Sequence, residues 1–169
     1  MLYNRKLILG IGIIAILIFI VEFYLPKFGF QYSGNRAYVF KLDLMLLYLA
    51  FLVFYLKKSH YVIYISFFVG LMQGLALEFD IGLLAFLKSL FSFKLTIIKK
   101  YNIIWNNYLK YLAIYLIFFL YFFLNYFLED YFQIMELLFI SSFHSILLFS
   151  LFFMFNKILF NSKIFQLDA

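Results

Sequence analysis

Long apolar segments separated by short polar or charged stretches run along the whole chain. An α-helix rises about 1.5 Å per residue, so about 20 apolar residues cross the hydrocarbon core of a bilayer. The pattern therefore predicts an all-α integral membrane protein, with a single transmembrane domain over residues 1–169 that folds as a compact bundle of six helices. The predicted spans are 7–25, 42–56, 61–77, 81–98, 111–128 and 132–155.

Two of these segments are unusual. Residues 42–56 are few for a full crossing and require local thinning of the bilayer or extension into the polar loop at 27–41. Residues 81–98 contain several polar side chains, among them Lys88 and Lys94. This segment is either a span packed inside the bundle or a re-entrant element, in which case the chain has five spans.

The basic residues indicate the orientation, because Lys and Arg collect at the cytoplasmic ends of membrane spans. With the N-terminus inside and six crossings, most of the 14 Lys and Arg residues lie at inner ends, and only Lys27, Arg36 and Lys41 lie at outer ends. Five crossings would instead place Lys157 and Lys163 outside. We therefore expect six spans with both termini in the cytoplasm.

The composition excludes several classes of protein. The chain is 67% hydrophobic and 13% charged, with a mean hydropathy of +1.02, and a soluble domain of this length could not bury so much apolar surface. The net charge of +6 is explained by the orientation in the membrane rather than by nucleic-acid binding. The absence of Cys excludes disulfides, a thiol nucleophile and Cys-ligated metals, and two His leave little for a metal centre, so we expect no metal and no cofactor.

Lys88 and His144 are ionisable residues deep within the predicted spans, where a charge costs about 2.5–3.5 kcal/mol on insertion scales. Lys88 is the deepest, and we expect it to pair with an acid on another helix, to line a wet cavity, or to extend toward an interface. His144 lies in the sequence Ser-Ser-Phe-His-Ser, and Ser in membrane helices commonly bonds its own backbone. We therefore expect His144 to pack or to form an interhelical hydrogen bond, and we expect the protein not to be an enzyme.

Small residues predict faces at which helices approach each other closely. Gly70 and Gly74 form a G-x-x-x-G motif in the third span. Gly12 belongs to a smooth stripe on the first span that also contains Gly10 and Ala15. We interpret these glycines as helix-packing positions.

The sequence of residues 67–95, FFVGLMQGLALEFDIGLLAFLKSLFSFKL, resembles MreD, the small membrane subunit of the bacterial rod-shape machinery. That family carries a G-x-x-Q-D pattern, then a short polar turn, then a Gly eight residues after the Asp. Gly70, Gln73 and Gly82 occupy the matching positions, whereas Gly74 stands where the family often has Asp.

A second match lies at the start of the second span. Asp43 follows Leu42 in a sequence that resembles the family's Pro-Asp-Leu, with Leu42 in place of Pro. The resemblance covers residues 7–157 in layout, and the short motifs cover about 45 residues. It implies helix-packing roles for Gly70 and Gly82 and polar motif positions at Asp43 and Gln73.

The resemblance implies a non-enzymatic scaffold in the bacterial cytoplasmic (inner) membrane that helps to position peptidoglycan synthesis and to regulate cell shape. The implied partners are an MreC-like bitopic protein, a RodA-like glycosyltransferase with its transpeptidase, the MreB filament indirectly, and membrane lipids. The family is similar in fold to the substrate-binding subunits of energy-coupling-factor transporters.

That similarity leaves an alternative, a subunit that binds a small vitamin in a cavity open to the outside. Candidate polar groups for such a cavity are Glu22, Asp43, Gln73 and Glu78. Transporter subunits of that kind carry Ala at every fourth position of the first span, whereas Gly12 and Ala15 are three apart.

Overall fold

The computed structural model describes residues 2–25, 28–32, 36–40, 42–56, 59–77, 81–100, 107–128 and 134–160. These residues form six helices and one two-stranded sheet. In chain order the elements are α1 (Leu2–Tyr24), β1 (Phe28–Tyr32), β2 (Arg36–Phe40), α2 (Leu44–Tyr55), α3 (His60–Leu77), α4 (Ile81–Lys100), α5 (Asn107–Leu128) and α6 (Ile134–Phe160).

Two helices are long and apolar enough to cross a membrane, over Tyr108–Phe127 in α5 and Ile134–Phe153 in α6. Parts of α1, α2 and α3 form shorter apolar helices. Large apolar side chains such as Phe68 and Phe153 are exposed on the outside of the helices. Extensive exposed apolar surface of this kind is typical of contact with a membrane or a partner, and together with the two long helices it indicates a membrane protein.

The segment that separates α1 from α2 contains two short strands, whereas a polar loop was predicted at 27–41; the other elements of the described chain are all helices, as predicted. Strands β1 and β2 form an antiparallel hairpin whose register pairs Phe28 with Phe40 and Phe30 with Tyr38. Aromatic and β-branched residues favour extended backbone, and both strands contain them. The aromatic and β-branched residues of this segment, rather than its few polar residues, therefore account for the strands.

The most buried helix is α2. Its side chains from Met45 to Ala50 are all buried, as are Leu52 and Val53, and it lies against α1, α3, α4 and α6. Helix α5 packs on α4 and α6. The short segment 42–56 is therefore the central helix of the bundle, and its 12 residues are surrounded by longer helices.

Among the described helices, α3 and α4 pack against each other most extensively. Gly70 lies against the backbone of α4, where an added Cβ would come within 2.8 Å of the Ala85 nitrogen. One helical turn earlier, the hydroxyl groups of Ser66 and Ser92 form a hydrogen bond of 2.5 Å. Small side chains thus allow the two helices to approach, as in membrane helix pairs generally.

The segment 81–98, for which a re-entrant element was an alternative, lies in one continuous helix. Helix α4 has 20 residues, which corresponds to about 30 Å at the rise of an α-helix. Its buried face includes Ala85, Lys88, Ser92 and Leu95. The polar side chains that made this segment atypical therefore lie, in large part, between helices.

Candidate functional site

The start of α2 is held by two carboxylates. Helix N-termini leave backbone N–H groups without intrahelical partners. Asp43 is the N-cap residue, and its Oδ1 accepts a hydrogen bond from the Leu46 N–H at 2.7 Å. Glu22 from α1 is 5% exposed, and its Oε2 accepts from the Met45 N–H at 2.8 Å. Both negative charges also lie where the dipole of α2 is positive.

Lys88 of α4 pairs with Asp43. Its side chain is 1% exposed, and its Nζ lies 3.0 Å from Oδ1 and 2.8 Å from Oδ2 of the carboxylate. The Tyr121 hydroxyl group of α5 donates to the same Oδ2 at 3.2 Å, and its ring lies 5.9 Å from the Lys88 nitrogen. Of the alternatives open from the sequence, the structure therefore shows pairing of Lys88 with an acid.

His144 of α6 is fully buried, and both of its ring nitrogens are hydrogen-bonded. Its Nε2 accepts from the Asp43 backbone N–H at 3.1 Å, and its Nδ1 lies 2.9 Å from the Ile140 carbonyl oxygen. These two contacts assign the neutral tautomer with the proton on Nδ1. The Phe122 ring packs beside the imidazole at 4.7 Å between centroids. His144 thus joins α6 to the start of α2.

Gln73 of α3 completes this group of side chains. It is 2% exposed, and its Nε2 donates to Glu22 Oε1 at 2.7 Å. Its Oε1 is buried without a hydrogen-bond partner among the described residues. The same holds for both carboxylate oxygens of Glu136, near the start of α6.

We call the following six residues the polar cluster, because hydrogen bonds or the ion pair connect each of them to the start of α2 or to a neighbour in the group. They are Glu22, Asp43, Gln73, Lys88, Tyr121 and His144. Each of the six helices contributes one residue, with Asp43 capping α2. The cluster therefore connects every helix of the bundle at one level.

The other end of α2 is held by Lys99 of α4. Its Nζ donates to the carbonyl oxygens of Val53, at 2.9 Å, and of Leu56. The last carbonyl groups of a helix have no intrahelical donors, and a cation there also matches the helix dipole.

Five of the six residues in the polar cluster were candidates from the sequence. Asp43, Gln73, Lys88 and His144 were candidates on different grounds, and the structure brings them together. Glu22 was a candidate acid for the vitamin-binding alternative. The remaining residue, Tyr121, has nothing in its local sequence that distinguishes it from the other 14 Tyr.

The predicted helix-packing glycines have different environments. Gly70 contacts the backbone of α4, and Gly74 is buried in α3. By contrast, an added Cβ at Gly12 or Gly82 would meet nothing within 4 Å. Among the described residues, Gly12 and Gly82 therefore do not lie at close helix contacts. Glu78 lies outside the described residues.

The hydroxyl groups near His144 bond to backbone rather than to the imidazole. Ser141 donates to the Leu137 carbonyl at 2.7 Å, and Ser145 donates to the Ser142 carbonyl at 2.9 Å. Among the described residues, no group of three or more His, Cys, Asp or Glu could hold a metal ion. The contacts of the polar cluster are those of a group that holds helices together.

No protein-family model, curated protein or solved structure matches this chain. The resemblance to MreD proteins therefore stays a prediction, and the function is argued from the geometry.

Proposed function

We propose that the protein is a non-enzymatic, multi-pass subunit of the bacterial cytoplasmic membrane that acts as an MreD-like scaffold for the cell-elongation machinery. In this proposal all six helices cross the membrane and both termini lie in the cytoplasm. The protein acts through lateral contacts between its helices and those of an MreC-like protein and of the wall-synthesis enzymes.

The observation that carries the proposal is the use of the polar residues within the bundle. Each helix contributes one residue to the polar cluster, and these residues bond to one another or to the start of α2, as Lys88 and His144 do. The outward faces of the helices are apolar. Moving an apolar side chain from lipid into a protein contact gives no hydrophobic gain. Association within a membrane therefore relies on close packing of such faces.

The same geometry weighs against the vitamin-binding alternative. Such a site needs polar groups that converge on a cavity. The carboxylates of Glu22 and Asp43 instead accept hydrogen bonds from the backbone of α2, and Gln73 donates to Glu22. Both carboxylates and the Gln73 amide nitrogen are therefore engaged by contacts within the chain.

The test is purification of the tagged protein in mild detergent after crosslinking in cells, with mass spectrometry of proteins and small molecules. We expect MreC-like and wall-synthesis proteins and no stoichiometric small ligand. Recovery of a bound vitamin, or of an ATPase module in place of the wall-synthesis proteins, would contradict the proposal.

Substitutions on an exposed face of α3 and on an exposed face of α5 would identify the face that contacts the partner protein. Phe68 and Met72 of α3 are 66% and 60% exposed, and Leu112 and Leu116 of α5 are 55% and 52% exposed. Substitution to Trp keeps each face apolar but changes its shape. We expect Trp on the contacting face to reduce partner recovery several-fold while the other face serves as the matched control. Equal recovery from all four variants would exclude both faces.

A further inference from the structure

An apolar groove of about 520 Å³ runs along α2 between α1 and α6. Gly10, Ile14 and Ile18 form the α1 side, and Leu151 contributes from α6. The floor is α2 itself, from Leu44 to Tyr55. The groove therefore extends along the full length of the most buried helix.

In the part of the chain that the structure describes, α1 packs on α2 but makes no close contact with α6, and the groove lies between them. The Tyr48 hydroxyl group of α2 donates to the Ile11 carbonyl of α1 at 2.8 Å and holds the two helices together. Next to it, Gly10 has no side chain, and an added Cβ there would meet nothing within 4 Å. An apolar surface of this length in a membrane is covered by an apolar occupant.

The groove is apolar and follows the whole length of α2. A single lipid acyl chain, which is unbranched and flexible, matches the elongated shape.

The two ends of the groove differ in the charged residues that lie next to them in the sequence. Helices α1 and α2 run in opposite directions, so the beginning of α1 and the end of α2 lie at the same end. Arg5 and Lys6 precede Gly10 in α1, and Lys57 and Lys58 closely follow Tyr55. The opposite end of the groove leads instead to the acids Glu22 and Asp43. Basic residues near a membrane surface attract anionic headgroups.

We propose that the groove binds one acyl chain of an anionic phospholipid from the inner leaflet, with the headgroup phosphate at the end near Gly10 and Tyr55. The apolar lining selects the chain, and the four basic residues that flank this end in the sequence select the charge.

The experiment uses the full-length protein in nanodiscs of equal parts phosphatidylglycerol and phosphatidylcholine. The protein is released gently, and the retained lipids are counted by native mass spectrometry. We expect one retained phosphatidylglycerol per protein and at least a fivefold excess over phosphatidylcholine. Equal retention of the two lipids, or no retained lipid, would overturn the proposal.

Two variants of α1 distinguish lipid bound in the groove from lipid that contacts the rest of the helix surface. Ile14 lines the groove, whereas Ile16 is 62% exposed on the same helix and does not line it. We expect Ile14→Trp to reduce the retained phosphatidylglycerol at least fivefold and Ile16→Trp to leave it unchanged. Equal retention by the two variants would show that the groove is not the site.

A charge variant and a crosslink test the headgroup and the occupant. Lys57→Gln together with Lys58→Gln should reduce the preference for phosphatidylglycerol without abolishing lipid retention, and an unchanged preference would contradict the headgroup position. A photoreactive residue in place of Phe51, in the groove floor, should crosslink to lipid in cells. Crosslinking to a protein instead would mean that a partner helix or a second copy of the chain occupies the groove.

Discussion

Lys88 and Lys99 lie eleven residues apart on one face of α4 and hold opposite ends of α2. Three helical turns contain about 10.8 residues, so the two side chains project from α4 in nearly the same direction. Lys88 pairs with the Asp43 carboxylate at the start of α2, and Lys99 donates to backbone carbonyl groups at its end. Helix α4 thus contacts the N-cap carboxylate at the start of α2 and the backbone at its end.

This arrangement explains how a helix of 12 residues is accommodated at the centre of the bundle. In a bilayer, backbone N–H and C=O groups without partners are costly, and a short helix ends before it reaches water. The carboxylates of Glu22 and Asp43 and the Lys99 ammonium provide these partners from within the protein.

Removal of the Lys88 ammonium tests the ion pair. Lys88→Met leaves the Asp43 carboxylate in the interior without its cation, and we expect the free energy of unfolding to fall by about 3–5 kcal/mol. The measurement is SDS-induced unfolding in detergent micelles, followed by circular dichroism.

The matched control for this prediction is Lys94→Met, because Lys94 is exposed on the same helix and should tolerate the change. A second substitution, Asp43→Asn, removes the unpaired charge and should recover part of the loss in the Lys88→Met protein. Equal stability of the Lys88→Met and Lys94→Met proteins would show that the pair does not stabilise the bundle.

The contact between His144 and the Asp43 backbone yields a second prediction. His144→Leu removes the acceptor of a buried N–H group and should cost about 1–3 kcal/mol of unfolding free energy. His144→Gln retains an acceptor oxygen and should cost less. His60 is exposed, so His60→Leu is the control. A His144→Leu protein as stable as the control would be inconsistent with this role.

A third prediction concerns the glycines. Gly70→Ala places a Cβ against the backbone of Ala85 and should destabilise the α3–α4 pair by about 1–3 kcal/mol. Gly82→Ala has open space and should be neutral or stabilising by up to about 1 kcal/mol, since Ala has the higher helix propensity. Thermal unfolding in detergent distinguishes the two, and a reversed order would contradict the packing at Gly70.

Much of the fold follows from the sequence, because helix positions depend on local hydrophobic pattern. The segments at 42–56, 61–77 and 81–98 all coincide with helices. Lys88 and His144 were also recognisable from the sequence as candidate functional residues, because an ionisable side chain inside an apolar segment is costly to insert into a membrane.

Their pairings could not be predicted, because they depend on tertiary contacts between distant positions. Lys88 and Asp43 are 45 residues apart, and His144 and Asp43 are 101 apart. The sequence also does not identify the helix that packs against Gly70. A G-x-x-x-G motif serves a partner protein or another helix of the same chain, and here Gly70 contacts α4.

The number of crossings is tested by labelling of single cysteines, for which a chain without Cys is a ready background. With six spans, an impermeant maleimide added to intact cells should label Gln31→Cys in β1, but neither Ser59→Cys nor Asn107→Cys. All three variants should react after permeabilisation, which controls for accessibility. Labelling of Asn107→Cys from outside would mean that α4 does not cross, and the predicted inner position of Lys99 and of the C-terminus would then be wrong.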